Sequence, residues 1–109
     1  MHALLALAAV VSGLHGVVMR GPTQPVCQIG KPCSEPAVGA LLVFSHNGRV
    51  AARVRAGAGG RYAVRLRAGF YAVRLSPEPK IGSGLRPRQV HVGSGLDARL
   101  DFDVDTGIR

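Results

Sequence analysis

The chain has 109 residues, which is room for one domain with one core. Trp is absent and aromatics are only 5%, so that core must be mainly aliphatic. The formal net charge is +8, and 12 of the 14 basic residues are Arg. Such a balance raises affinity for polyanions. Sparse aromatics and the lack of a groove-reading helix argue against specific nucleic-acid recognition. Alternating Arg is equally an ordinary way to solvate a strand face. Fifteen Gly and seven Pro suit a turn-rich all-β chain better than a helical one.

Residues 1–11 form an apolar run, uncharged apart from His2. The run is too short to cross a bilayer, which takes about 20 residues as a helix. With small Ser12 and Gly13 after it, it reads as a secretory signal peptide over residues 1–13, although a basic start is missing. The competing reading is a buried first element. The mature domain is expected over residues 14–109, secreted or in the cell envelope, with no membrane span.

Residues 14–20 are predicted as the first strand, ended by Gly21-Pro22. Residues 23–36 are dense in Pro and Gly and read as a loop. They hold both cysteines, Cys27 and Cys33. Two Cys with no nearby His make too few ligands for structural zinc, and the spacing is not Cys-x-x-Cys. An even count after a leader predicts a Cys27–Cys33 disulfide. It would stabilise by roughly 2 kcal/mol on the chain-entropy account. Two free thiols in an unexported protein are the alternative.

Strands are expected over residues 38–44 and 49–55. A two-residue Asn47-Gly48 turn would set Val43 opposite Ala52. A three-residue loop would set Phe44 opposite Val50 and Leu42 opposite Ala52, gathering the apolar residues on one face, and is preferred. That option leaves Leu41 and Val43 on the outer face among Arg49 and Arg53, as a covered or a contact patch.

The stretch 56–60 is glycine-rich but opens a strand rather than a helix, which argues against phosphate cradling. Residues 59–75 read as a tight hairpin about Ala68-Gly69. Leu66 would oppose Tyr71, Val64 would oppose Val73, and Tyr62 would oppose Leu75, all six on one face. The other face carries Arg61, Ala63, Arg65, Arg67, Phe70, Ala72 and Arg74. Residues 76–87 form a long connection. Short strands follow at 88–92 and 96–104, the last with Leu96, Ala98, Leu100, Phe102 and Val104 inward and its Asp residues outward. These acids could pair with the basic strand faces, each exposed pair being worth at most about 1 kcal/mol. Seven short strands without a helical period predict an all-β, seven-stranded antiparallel β-sandwich.

The pattern Gly60-Arg61-Tyr62-x-Val64-x-Leu66-x-x-Gly69-x-Tyr71-x-Val73 resembles the carboxypeptidase regulatory-like domain, a prealbumin-like (transthyretin-like) sandwich. Gly16-Val17-Val18, Gly39-Ala40-x-Leu42-x-Phe44, Val90-x-Val92 and Leu100-x-Phe102 fit the same pattern. The likeness covers residues 14–104 and extends to a small secreted bacterial subgroup with a cysteine loop. It implies a non-catalytic folding or interaction module, with no cofactor. Similar sandwiches serve as stalks, and some related folds bind carbohydrate.

The transthyretin-like fold also hosts hydroxyisourate hydrolases, which close on Tyr-Arg-Gly-Ser. This chain closes on Thr106-Gly107-Ile108-Arg109 and retains only an early His15. His15, His46 and His91 are expected to be ordinary surface or rim histidines. Ser45 and His46 are strand neighbours pointing to opposite faces, which suits neither nucleophile nor base. No catalytic or metal residue is assigned.

The expected role is a secreted structural or protein-interaction module, its partner a protein or an envelope polymer. The alternative is a binding module for carbohydrate or acidic polymers. Its candidate polyanion face is Arg49, Arg53, Arg61, Arg65, Arg67 and Arg74. For neutral sugars the one outward aromatic is Phe70.

Overall fold

The computed structural model describes residues 12–78 and 84–108. The leader-like run therefore lies outside the described residues, apart from Ser12 and Gly13. The chain is all-β with two packed sheets. The first strand, β1 (Gly13–Gly21), starts one residue before the expected Leu14. The prolyl loop yields a two-residue β2 (Glu35–Pro36). A hairpin follows, β3 (Leu41–His46) and β4 (Arg49–Arg55). A single 3-10 turn at Ala58–Gly60 leads to β5 (Arg61–Arg65) and then β6 (Gly69–Ser76). Last come β7 (Gly84–Arg86), β8 (Gln89–Val92), β9 (Asp97–Arg99) and β10 (Phe102–Asp105).

Strands β1, β2, β5, β7, β9 and β10 make one sheet, and β4-β3-β6-β8 make the other. Against the expected seven antiparallel strands, the described residues form ten segments. The six-stranded sheet is mixed, because β1 pairs in parallel with both β9 and β10. The chain enters the sheet at β1 and returns at its end in the same direction, which no hairpin connection allows.

The predicted central hairpin does not form. Strand β5 pairs antiparallel with β1, Tyr62 opposite Gly16, while β6 pairs with β3, Val73 opposite Phe44. Residues 66–68 carry the chain from one sheet to the other. Ser12 Oγ donates to the Leu66 carbonyl, and Tyr71 Oη donates to Arg67 O at 2.6 Å, fixing this corner. The inward face was nonetheless read correctly. Tyr62, Leu66, Tyr71 and Val73 are buried, with Val64 and Leu75 packed against them. Alternation fixes which side chains point inward, but two strands of one hairpin and two strands on facing sheets satisfy it equally. The facing arrangement lets the two apolar rows cover one another.

The β3–β4 hairpin takes the two-residue turn rather than the preferred three-residue loop, and beyond it the pairing follows neither predicted register, since Val50 lies opposite Ser45 and not Phe44. Asn47 (φ 50) and Gly48 (φ 78) form a two-residue turn with His46 opposite Arg49. A bulge then inserts Ala51, so Phe44 meets Ala52 and Leu42 meets Val54. The turn takes its favoured residues, and the extra residue restores the apolar face. Leu41 and Val43 do face outward. Val43 is only 1% exposed, lying between Arg53 and Arg74 on the neighbouring strands, whose aliphatic stems can cover it.

Three other expectations change. Residues 38–39 form a turn rather than strand, with Val38 60% exposed. Part of the connection after β6 becomes β7, because Gly84–Arg86 pairs with β10 at the sheet edge. The final run is broken into β9 and β10, and Leu96 and Ala98 are exposed rather than inward.

The break has a local cause. At Gly16 the ladder is pinched. Leu100 N donates to His15 O at 2.8 Å, and the Asp101 carboxylate accepts the Val17 N–H at 2.9 Å in place of a main-chain carbonyl. Register is kept across the gap, with Leu14 opposite Ala98 before it and Val18 opposite Phe102 after it. A Cβ at Gly16 would collide with the Leu100 carbonyl. Below the gap, Phe102 meets Phe44 edge-on at 6.3 Å and Tyr62 at 5.5 Å, joining the sheets in the core.

Because the group opposing Gly16 is backbone, Gly16→Ala is expected to destabilise by about 3 kcal/mol through overpacking. Urea unfolding checks this; a midpoint equal to the parent's would mean that the two strands do not approach so closely.

Candidate functional site

The topology sorts charge between the two sheets. Strands β4, β3, β6 and β8 carry Arg49, Arg53, Arg55 and Arg74 and not one carboxylate. In the other sheet Arg20, Arg61, Arg65, Arg86 and Arg99 are matched by Glu35, Asp97, Asp101, Asp103 and Asp105. Three ion pairs lie there: Arg20–Glu35 at 3.0 Å, His15–Asp97 at 3.2 Å and Arg99–Asp101 at 3.3 Å. All are exposed, so each adds little stability. Arg61 and Arg65 share this face, but β1 stands between them and the aspartates.

The six arginines named from sequence therefore do not form one face. Arg53 and Arg74 flank Val43 on the outer face of the four-stranded sheet. Arg61 and Arg65 lie on the opposite sheet. Arg67 sits at the corner between sheets. Arg49, paired with His46, is turned from Arg53 by the Ala51 bulge. The shared face does include Arg55, whose Nη1 donates to Gly39 O at 2.8 Å. Sequence missed Arg55 and the division of the rest, because strand alternation does not reveal which sheet a strand joins.

The same outer face holds Phe70, which is 73% exposed. Its ring lies 4.5 Å from that of His91, directly opposite on β8. Ala72 and Ser45 continue the surface across β6 and β3 as small, unobstructing residues. The face thus offers an aromatic–imidazole platform near one end and guanidinium groups near the other, with no anion between.

Several clefts open among the described residues. An open groove of about 590 Å³ is lined by His15, Arg55, Arg61, Tyr62 and Arg99. A second, of about 380 Å³ at the mouth between the sheets, is mostly apolar, with Val38, Leu41, Leu75, Pro77 and Val104. His46 Nδ1–H donates to Phe70 O at 2.9 Å, and Asn47 Nδ2 donates to its Nε2 at 3.3 Å, so both ring nitrogens are engaged. No group of His, Cys, Asp and Glu among the described residues could hold a metal. Cys27 and Cys33 are joined as a disulfide.

Two displaced pKa values among the described residues belong to the pinched ladder. Burial pushes the Tyr62 phenol above its ordinary 10.0, and the nearby Asp101 charge adds to this. Its hydroxyl donates to Leu100 O at 2.5 Å. The Asp101 carboxyl lies below its ordinary 3.8, held there first by the Val17 N–H and then by Arg99. Both groups are thus consumed by structure. The signs follow from linkage. The Asp101 contribution is present above pH 3.8 and is lost as pH falls through the lower folded value. The Tyr62 contribution is present below pH 10.0 and is lost as pH rises toward the higher folded value. In a stability–pH profile, Asp101→Asn should flatten the acid limb and Tyr62→Phe the alkaline limb. Unchanged limbs would contradict the assignment.

Searches of family models, of curated proteins and of solved structures each find no match to this chain.

Proposed function

We propose that this chain is a non-catalytic, exported interaction module that engages an acidic partner, such as an anionic polymer of the cell envelope. It does so through the outer face of the four-stranded sheet. The observation that carries this reading is the segregation of charge. Arg53 and Arg74 lie on a face whose strands carry no carboxylate, while five of the six acidic residues belong to the other sheet or to its β9–β10 link and the sixth, Glu78, follows β6. Neither arginine has an ion-pair partner among the described residues. An uncompensated basic face favours an anionic partner and steers its approach.

Export is supported by the leader-like run and by the disulfide, which persists in oxidising compartments. The likeness of residues 14–104 to carboxypeptidase regulatory-like domains supports a module without catalysis of its own. A second reading, carbohydrate binding, is favoured by exposed Phe70 on His91. An aromatic face can lie against the apolar face of a sugar ring, as other amphipathic surfaces do.

Binding to soluble polyglutamate, a polyuronate and neutral dextran separates these readings. The polyanions should bind, steeply weakened by salt. Arg53→Gln with Arg74→Gln keeps the stems over Val43 and should weaken polyanion binding about tenfold, taking each lost pair as worth roughly 0.7 kcal/mol. Arg61→Gln with Arg65→Gln should have a smaller effect. Equal losses from both pairs would remove the face assignment. Dextran binding abolished by Phe70→Ala would favour the carbohydrate reading.

A further inference from the structure

The disulfide loop carries a feature that the sheet face does not use. Cys27–Cys33 closes a small ring. Inside it Lys31 N donates to Gln28 O at 3.2 Å, closing a turn with Ile29 at its tip and Gly30 at φ 84. At the base, Thr23 N donates to Cys33 O at 3.0 Å, and Arg20 pairs with Glu35 at 3.0 Å. The ring is thus fixed covalently and by hydrogen bonds at both ends. Yet its tip presents aliphatic groups to solvent: Ile29 is fully exposed and Val26 is 71% exposed.

From residue 22 to residue 34 the only charge is Lys31, and no carboxylate is present. A preorganised convex knob of two aliphatic side chains beside a lysine suits shallow entry into an interface. There the apolar tip leaves water and the ammonium remains among anionic headgroups. The chain's net charge of +8 favours the same surface. We propose that the Cys27–Cys33 loop is a membrane-surface anchor, inserting Ile29 and Val26 at the interface of an anionic lipid bilayer.

The chain has no Trp, so Ile29→Trp places a single fluorophore at the tip. The full chain with this change would be mixed with vesicles of phosphatidylglycerol and phosphatidylcholine, and with phosphatidylcholine alone. The proposal expects emission to move to shorter wavelength and to be quenched by lipids brominated high on the acyl chain, with anionic vesicles. Reducing the disulfide should weaken both signals. In co-sedimentation of the otherwise unaltered chain, Ile29→Asp should lower partitioning about tenfold. Adding Arg53→Gln and Arg74→Gln to the Trp variant should leave the spectral shift in place at saturating lipid, so failure of the sheet-face reading would not affect this test. Vesicle binding with unchanged emission would overturn the proposal, since contact would then run through another surface. Absence of binding would overturn it too, and would leave a protein socket as the alternative for the knob.

Discussion

Strand β1 is the constraint on which the rest of the structure depends. It borders β5 and β2 on one side and β9 and β10 on the other. Residues from both ends of the chain must reach it before the six-stranded sheet exists. The pinch at Gly16 sits in the middle of this strand. There the Leu100 carbonyl receives the Tyr62 hydroxyl and Asp101 receives the Val17 N–H. A side-chain carboxylate thereby completes hydrogen bonding that the broken ladder leaves open, as backbone groups in a sheet require. The same arrangement sets the depth of Phe102, which joins Phe44 and Tyr62 in the core.

Charge follows from this topology. Because the terminal strands return to β1, their aspartates are confined to the six-stranded sheet, where Asp97 meets His15 and Asp101 meets Arg99. The opposing sheet is built from strands of the middle of the chain, in which acidic residues do not occur. A sequence of +8 therefore becomes a molecule with one nearly balanced face and one basic face. The basic face is also the smoother one, since Ser45 and Ala72 separate its arginines from the Phe70–His91 pair. Electrostatic asymmetry of this kind governs encounter and orientation more than fold.

Much of the fold was legible in the sequence, for physical reasons. Inward positions such as Leu42, Phe44, Tyr62, Tyr71, Val73 and Phe102 follow from the pleat alone. The cysteine spacing and context gave the disulfide. What the pleat cannot encode is partnership. Ala68-Gly69 looks like a hairpin tip because two apolar rows flank it, and nothing local says that the chain crosses to another layer there. The Ala51 bulge was hidden for a related reason. Asn47-Gly48 favours a turn that would send the apolar rows to opposite faces, and an inserted residue keeps the turn and returns Ala52 and Val54 to the face of Phe44 and Leu42, in a register that neither signal specifies. The candidate site suffered most. Arg61 and Arg74 alternate in one continuous pattern, so they read as one face, while β1 and β3 draw them to opposite sides of the molecule.

The central claim is that the charge-sorted four-stranded sheet is the contact face. Amide chemical shifts of the isotopically labelled chain, followed while polyglutamate is added at low salt, test it most directly. The account predicts perturbations concentrated at Val43, Arg53, Ala72 and Arg74, fading as salt is raised, with Arg61, Arg65 and the β1 amides unmoved. Perturbations centred on Arg61 and Arg65, or spread evenly over both sheets, would contradict it.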